Sequence, residues 1–146
     1  MVQKAVSILM VEDDADDRML MIKAFQKNLY KGKFSCVEDG TQLLDYLRRV
    51  GEFESEEDYP LPKLIMLDLN MPKMDGREVL KHLKNNDDWR KIPVIVFTTS
   101  KLQDDIDVSY FMGTNSYITK PDSFEELTRI ASEIEAYWCK TVELPA

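Results

Sequence analysis

Asp68 is the residue around which the candidate chemistry of this sequence is arranged. It ends a four-residue apolar run, Leu64–Leu67, and turn-forming residues follow it within the segment LIMLDLNMPKMDG. A short apolar run bounded by turn residues predicts a buried parallel strand, with Asp68 at its carboxyl end. In open α/β sheets, ligands bind at that edge. A carboxylate in such a place costs free energy unless other groups compensate its charge.

Other polar residues also follow apolar runs that predict strands: Glu12 and Asp13 after residues 5–11, Thr98 after residues 94–97, and Lys120 after residues 116–118 and Thr119. Three carboxylates at one edge repel one another unless a cation lies among them. Oxygen ligands suit Mg²⁺ or Mn²⁺, and no histidine or cysteine nearby favours zinc. A divalent ion, an ammonium and a hydroxyl around one carboxylate are what phosphoryl transfer needs, which makes Asp68 the natural nucleophile.

Five predicted strands alternate with five predicted helices along the chain. The strands are predicted at residues 5–11, 34–37, 64–67, 94–97 and 116–118, and the helices at residues 15–29, 40–50, 76–85, 103–112 and 124–138. This alternation predicts an α/β fold: a flavodoxin-like, doubly wound, five-stranded parallel sheet with helices on both faces. The expected strand order is 2-1-3-4-5. Its switch point, where a ligand should bind, lies between the first and third strands.

The apolar spacing in the first helix predicts one buried face, formed by Ala15, Met19, Ile22, Phe25 and Leu29. The remaining acids of the EDDADD run, Asp14, Asp16 and Asp17, are expected to be solvated residues that suit the positive end of the helix dipole.

Length and charge limit the function further. The 146 residues fit a single domain, residues 1–146, with a core at about residues 5–140. The 27 acidic and 19 basic residues give a net charge of −8, which argues against nucleic acid and anionic membranes as partners. No run approaches the ~18 apolar residues of a membrane helix, and a signal peptide is not evident, so we expect a cytoplasmic protein.

Taken in order, the segments ILMVEDD, LIMLDLNMPKMDG, PVIVFTTS and YITKP resemble the receiver domains of two-component response regulators, of the stand-alone, CheY-like kind. The resemblance covers about residues 5–140. The acidic loop from Gly51 to Pro62 and the segment DLNMPKMDGREVL are similar to those of response regulators encoded with cyanobacterial phytochromes.

This resemblance implies a role for each site residue. Asp68 would accept a phosphoryl group from a phosphohistidine of a sensor histidine kinase, of which the phytochrome type is one candidate. Mg²⁺ would be held by Asp13 directly, by Glu12 through water, by Asp68 and by the backbone carbonyl of Asn70. Lys120 would bind the phosphoryl oxygens.

The resemblance also implies a switch. Thr98 would turn inward to bond the phosphoryl group, and Tyr117 would follow it from an exposed to a buried rotamer. Thr99 and Ser100 would either tune water access or serve as plain loop residues. The Lys120–Pro121 peptide bond matches a position that is usually cis, an isomer that only proline makes inexpensive.

The implied function is a phosphorylation-dependent switch rather than an enzyme. The short chain after Pro121 leaves no room for a DNA-binding module, so output is expected through an unknown target protein or through a homodimer. The expected surface is the face of helix 4, strand 5 and helix 5, which carries Tyr110, Phe111, Tyr117 and Tyr137.

Two alternatives remain at this point. A Mg²⁺-dependent phosphatase would also use an aspartate nucleophile, but such enzymes usually carry a second acid two residues later, where this chain has Asn70. A phosphorylation-independent receiver scaffold is the other. The acidic loop from Gly51 to Pro62 is expected to be solvated, with partner recognition as its alternative role.

Overall fold

The sheet is parallel and has the order β2-β1-β3-β4-β5 in the computed structural model, which describes residues 5–146. Its strands are β1 (Ile8–Val11), β2 (Phe34–Val37), β3 (Leu64–Leu67), β4 (Val94–Thr98) and β5 (Ser116–Thr119). Every residue of β1, β3 and β4 is buried, while the edge strands β2 and β5 are mostly half-buried. The predicted fold class and strand order are therefore confirmed.

The strand ends differ from the prediction where pairing partners decide them. The first strand begins at Ile8 rather than Ala5, because its ladders with β2 and β3 both start at Ile8. At the other edge, Thr98 and Thr119 pair in register, which extends β4 and β5 by one residue each. The apolar pattern of one strand does not show which residues of the neighbouring strand pair with it, so the pattern does not determine where the strand ends.

Five helices cover the two faces of the sheet: α1 (Ala15–Lys27), α2 (Gly40–Arg48), α3 (Gly76–Lys84), α4 (Gln103–Phe111) and α5 (Phe124–Ile134). A seven-residue π-helical segment, Glu135–Thr141, continues α5. Alternate residues of each inner strand point to opposite faces, so Leu9 and Val11 pack with α2 and α3 while Ile8 and Met10 pack with α1 and α5. None of the helices within residues 5–146 is long and apolar enough to cross a bilayer.

The buried face of α1 matches the predicted one only at Phe25, with Ile22 half-buried. Met21, Ala24 and Phe25 are buried, whereas Met19 is 53% exposed and Leu29 is 74% exposed. The apolar segment MLMIKAF offers more than one stripe at helical spacing, and contact with α5 and the sheet selects the stripe that is buried. Leu29 lies beyond the end of α1, with a positive φ of 58°.

The acidic loop after α2 is anchored to the core, contrary to the expectation of a wholly solvated segment. It begins with a single 3₁₀ turn, Gly51–Phe53, whose Phe53 side chain is buried. The Phe53 ring packs against Tyr46 and Tyr59, with ring centroids 5.3 and 5.1 Å apart. The Tyr46 hydroxyl donates to the Pro60 carbonyl at 2.8 Å. The acidic side chains of the loop remain in solvent.

We expect the substitution Phe53→Ala to lower the free energy of unfolding by about 3 kcal/mol, because it removes a buried ring and leaves a cavity beside Tyr46. Urea denaturation followed by circular dichroism measures this loss. The matched control is Glu52→Ala, an exposed neighbour, which should change the free energy by less than about 0.5 kcal/mol. Equal stabilities of the two variants would show that the aromatic anchor does not hold the loop.

Candidate functional site

The predicted site residues meet at the carboxyl edge of the sheet. Glu12 follows β1, Asp68 follows β3, Thr98 ends β4 and Lys120 follows β5. Backbone hydrogen bonds continue the ladder into this edge: Asp68 N–H donates to Val11 at 3.1 Å, and Lys120 N–H donates to Thr98 at 2.7 Å. Parallel strands in register therefore bring together residues that lie far apart in sequence.

Three carboxylates form the acidic part of the site. Glu12, Asp13 and Asp68 each offer a carboxylate oxygen, and these oxygens lie within 4.8 Å of one another. Glu12 and Asp68 are buried, at 1% and 6% exposure, while Asp13 is exposed to solvent. An all-oxygen cluster with one open side fits a hard divalent cation such as Mg²⁺ or Mn²⁺.

The ammonium of Lys120 lies among the acids. Its Nζ is 2.5 Å from Glu12 Oε1, 2.8 Å from Asp17 Oδ2 and 3.2 Å from Asp68 Oδ2. The side chain is only 11% exposed, so these ion pairs are shielded from water. Lys120 thus offsets part of the negative charge that the strand ends accumulate.

Asp17 is a member of this cluster that the sequence analysis missed. It was expected to be solvated, and its side chain is 37% exposed, yet it accepts a hydrogen bond from Lys120. The available signal was its position in the first turn of α1, directly after the acids that follow β1. Asp14, in contrast, caps α1, accepting from the Asp17 N–H at 3.0 Å.

Burial and pairing pull the ionisation of the cluster in opposite directions. Burial raises the pKa of Glu12 to about 8, although the Lys120 ammonium opposes that rise. Burial by itself would lower the pKa of Lys120, but hydrogen bonds to Asp17 and Glu12 outweigh it and raise that pKa above its ordinary value. Lys120 therefore stays charged, and Glu12 holds a proton more readily than a solvated glutamate does.

Thr98 presents a buried hydroxyl with nothing to bond. The residue has 0% exposure, and its Oγ1 has no hydrogen-bond partner among residues 5–146. Leaving a buried hydroxyl unpaired costs about 1–3 kcal/mol, so such groups usually have a ligand or a functional reason. Thr98 therefore has an unused hydrogen-bonding group at the same edge of the sheet as Asp68.

Tyr117 lies against the loop between β4 and α4. Its hydroxyl donates to the backbone carbonyl of Ser100 at 2.9 Å, and the side chain is half-buried. Burial raises the pKa of Tyr117, so the hydroxyl keeps its proton. Thr99, which precedes Ser100 in this loop, is exposed.

The loop after β3 packs tightly around Asp68. The Asn70 N–H donates to Asp68 Oδ1 at 3.3 Å. A Cβ on Gly76 would lie 2.3 Å from the Asp68 carbonyl oxygen, so no other residue fits where α3 begins. This close approach explains the glycine, which sequence analysis treated only as a turn signal.

The expected cis peptide bond before Pro121 is wrong. No peptide bond within residues 5–146 is cis, so the Lys120–Pro121 bond is trans. The physical reason is that proline makes the cis isomer inexpensive without requiring it, since trans remains favoured by about 0.5–1 kcal/mol.

Comparison with known sequences identifies relatives over most of the chain. Residues 8–132 match the response regulator receiver domain. Response regulator Rcp1 of Synechocystis sp. is 40% identical over 139 residues, which cover 95% of this chain and 92% of Rcp1. The probable methanogenesis regulatory protein FilR2 of Methanothrix harundinacea is 42% identical over 131 residues, which cover 90% of this chain and 82% of FilR2.

Solved structures agree with these sequence matches. The Mn²⁺-bound form of Rcp1 superposes with a TM-score of 0.85, covering 97% of this chain and 99% of Rcp1 at 40% identity. The phosphorylated cyanobacterial phytochrome response regulator RcpA superposes with a TM-score of 0.88, covering 98% of this chain and 100% of RcpA at 38% identity.

Replacing Lys120 by methionine should lower the free energy of unfolding by about 3 kcal/mol at about pH 8 without divalent metal, because Glu12 and Asp68 lose their buried cation. The loss should be smaller at about pH 5. The pKa of Glu12 is raised in the folded state, so between about pH 4.5 and 8 the native protein binds a proton that the unfolded chain lacks, and falling pH favours the fold. Once Glu12 is protonated, it carries no charge for the Lys120 ammonium to compensate.

Urea denaturation of wild type and variant at the two pH values measures this difference. Lys101→Met, which changes an exposed lysine, is the control and should change stability by less than about 0.5 kcal/mol at either pH. A Lys120→Met variant as stable as this control, or a loss independent of pH, would contradict the electrostatic account.

Proposed function

Because this chain belongs to the response regulator receiver domain family, and is therefore a response regulator of two-component signalling, we propose that Asp68 is its phosphoacceptor. The observation that carries this proposal is the surroundings of Asp68: a buried carboxylate with two further acids, one ammonium and one unpaired hydroxyl at the same edge. These are the groups that a phosphoryl transfer to aspartate requires.

The proposed cofactor is Mg²⁺, with Mn²⁺ as a substitute, held by Glu12, Asp13, Asp68 and the backbone carbonyl of Asn70. The three carboxylate oxygens within 4.8 Å of one another support this, since they repel without a cation. The relative Rcp1 has a Mn²⁺-bound form. When bound, the ion neutralises negative charge on the carboxylates and on the phosphoryl oxygens.

In the proposed reaction, an Asp68 Oδ attacks the phosphorus of a phosphohistidine. An oxygen–phosphorus bond forms as the nitrogen–phosphorus bond breaks, and the imidazole leaves with that electron pair and takes up a proton. Lys120 would exchange carboxylate partners for phosphoryl oxygens, which its position 3.2 Å from Asp68 Oδ2 makes a short movement. The unpaired hydroxyl of Thr98 would donate a hydrogen bond to a phosphoryl oxygen.

The proposed output is a change in protein–protein contacts. Once Thr98 bonds the phosphoryl group, the loop that carries Thr99 and Ser100 is held against the site, and Tyr117 with it, while Pro121 shapes the neighbouring loop after Lys120. Phosphorylation would thereby shift a pre-existing equilibrium between two arrangements of α4 and β5.

The proposed phosphodonor is a sensor histidine kinase, with the phytochrome type favoured because the relative RcpA is a phytochrome response regulator. For output we propose a target protein or a second copy that binds the face of α4, β5 and α5. Phe111 is 92% exposed there and Tyr110 about half exposed, as is Tyr137 in the π-helical segment that continues α5. The net charge of −8 argues against nucleic acid and anionic membranes.

We further propose one receiver domain over residues 1–146, acting in the cytoplasm, without turnover of external substrates. An aspartate-nucleophile phosphatase would need a general acid two residues after Asp68, and Asn70 has no proton to give in that role. A phosphorylation-independent scaffold would have no use for the unpaired Thr98 hydroxyl.

With Mg²⁺ and a small phosphodonor such as phosphoramidate, we expect one phosphoryl group per chain on Asp68, because its carboxylate lies beside Lys120, with Glu12 and Asp13 next to it as the proposed metal ligands. Intact-mass spectrometry measures the addition, which should be stable in acid and labile in base. Asp68→Asn should abolish the label, whereas Asp104→Asn, an exposed acid on α4, should leave it unchanged. Equal labelling of Asp68→Asn and wild type would disprove the assignment.

Divalent-metal affinity should rise with pH between about 5 and 8. Burial raises the pKa of Glu12 to about 8, so below that pH a proton competes with the metal for this carboxylate. Calorimetric Mg²⁺ titrations in two buffers of different ionisation enthalpy count the protons released, and we expect a value approaching one per ion at about pH 6. Glu12→Gln should bind without this release; the same release from that variant would assign the proton elsewhere.

A further inference from the structure

Beside the site lies a chain of hydrogen bonds that the proposed chemistry does not use. Arg77 Nη2 donates to Asp105 Oδ1 at 2.5 Å, and the Ser100 hydroxyl donates to Asp105 Oδ2 at 2.6 Å. The Ser100 carbonyl in turn accepts the Tyr117 hydroxyl at 2.9 Å. Both oxygens of one carboxylate are thus occupied, one by a helix on the phosphoacceptor side and one by the loop that holds Tyr117.

These residues connect separate elements. Arg77 is the second residue of α3, the helix whose first residue packs against the Asp68 carbonyl. Asp105 lies in the first turn of α4, and Ser100 lies in the loop between β4 and α4. The network therefore joins the loop after Asp68 to the loop after Thr98.

The pair is well placed to fix its surroundings. The Arg77 and Asp105 side chains are 32% and 19% exposed, so solvent reaches them only in part. Hydrogen bonds from Ser100 and Arg77 lower the pKa of Asp105, which keeps the carboxylate ionised. Charge-assisted bonds of this length are roughly twice as strong as neutral ones.

Helix α4 has little else to hold its beginning. The residue at its N-cap, Leu102, makes no side-chain capping bond, and Ser109 is the one residue of α4 that is fully buried. Apolar packing therefore does not fix the first turn, and the contact of Asp105 with Arg77 is the polar alternative.

We infer that Arg77 and Asp105 are positioning residues of the switch: the pair fixes Ser100, and Ser100 holds Tyr117 half-buried before any phosphoryl group arrives. The inference rests on the proposed function only in treating Tyr117 as the switch residue. Asp105 contacts neither the metal ligands nor Asp68, and it acts through the loop.

The test measures the position of Tyr117 by fluorine NMR on the full chain labelled with fluorotyrosine, without metal or phosphodonor. Tyr117→Phe assigns the Tyr117 resonance by its loss. In wild type we expect the Tyr117 resonance to lie closer to the buried than to the solvent-exposed frequency, because the side chain is half-buried. In Asp105→Ala it should move towards the solvent-exposed frequency, with the equilibrium shifted about ten-fold or more, as loss of a charge-assisted hydrogen bond implies.

Asp107→Ala is the matched control. It removes an acid from the same helix whose hydrogen bond is to Gln103 and not to the loop, so the Tyr117 resonance should stay as in wild type. Ser100→Ala removes the hydroxyl that donates to Asp105 and accepts from the Leu102 N–H at 3.3 Å, and it should shift the resonance in the same direction. An unchanged Tyr117 resonance in both Asp105→Ala and Ser100→Ala, or an equal shift in Asp107→Ala, overturns the inference.

Phosphorylation of the Asp105→Ala variant tests the positioning role of Asp105 separately from the proposed phosphoacceptor role of Asp68. Its Asp68 should still take up one phosphoryl group from phosphoramidate, because the variant leaves the site residues in place. A shifted resonance with normal labelling supports the positioning role. Absence of label on wild type would instead reject Asp68 as phosphoacceptor, and the Tyr117 measurement would still decide the role of Asp105.

Discussion

The carboxylates of Glu12, Asp13 and Asp68 repel one another at the carboxyl edge of the sheet, and the surrounding structure compensates that repulsion. The buried strands β1 and β3 force two of these acids into a shared, poorly solvated space. The Lys120 ammonium reaches this space from the end of β5. Residual negative charge remains, and it is what gives the site an affinity for a divalent cation.

Lys120 is a countercharge that can be redistributed. It has three carboxylate partners, and one of them, Asp17, belongs to a partly exposed helix start. A phosphoryl group on Asp68 would compete for the same ammonium with greater charge. The unpaired hydroxyl of Thr98 lies at the end of the neighbouring strand, β4. In the proposed switch, a phosphoryl group on Asp68 would thereby act on the loop whose Ser100 carbonyl accepts the Tyr117 hydroxyl.

The architecture and the gathering of Glu12, Asp13, Asp68, Thr98 and Lys120 at one edge were predictable from sequence. Apolar runs that end in polar residues define buried parallel strands, and the alternation with helices leaves few topologies. The roles assigned to these residues in phosphoryl transfer remain predictions, as does the single-domain assignment.

What sequence did not reveal depends on tertiary contacts. The choice between two apolar stripes of α1 is made by α5 and the sheet, and the anchoring of Phe53 by Tyr46 and Tyr59 is made across a loop. Arg77 and Asp105 lie 28 residues apart in sequence, and no local sequence pattern predicts their contact. Such pairings follow from the fold and cannot be read before it.

The measurement that tests the central claim most directly is a crystal structure of the protein with Mg²⁺ and beryllofluoride, a mimic of the phosphoryl group. The account predicts beryllium bonded to an Asp68 carboxylate oxygen, with Lys120 Nζ and Thr98 Oγ1 each within hydrogen-bond distance of a fluorine. Beryllofluoride on another carboxylate, or a Thr98 hydroxyl that still has no partner, would contradict it.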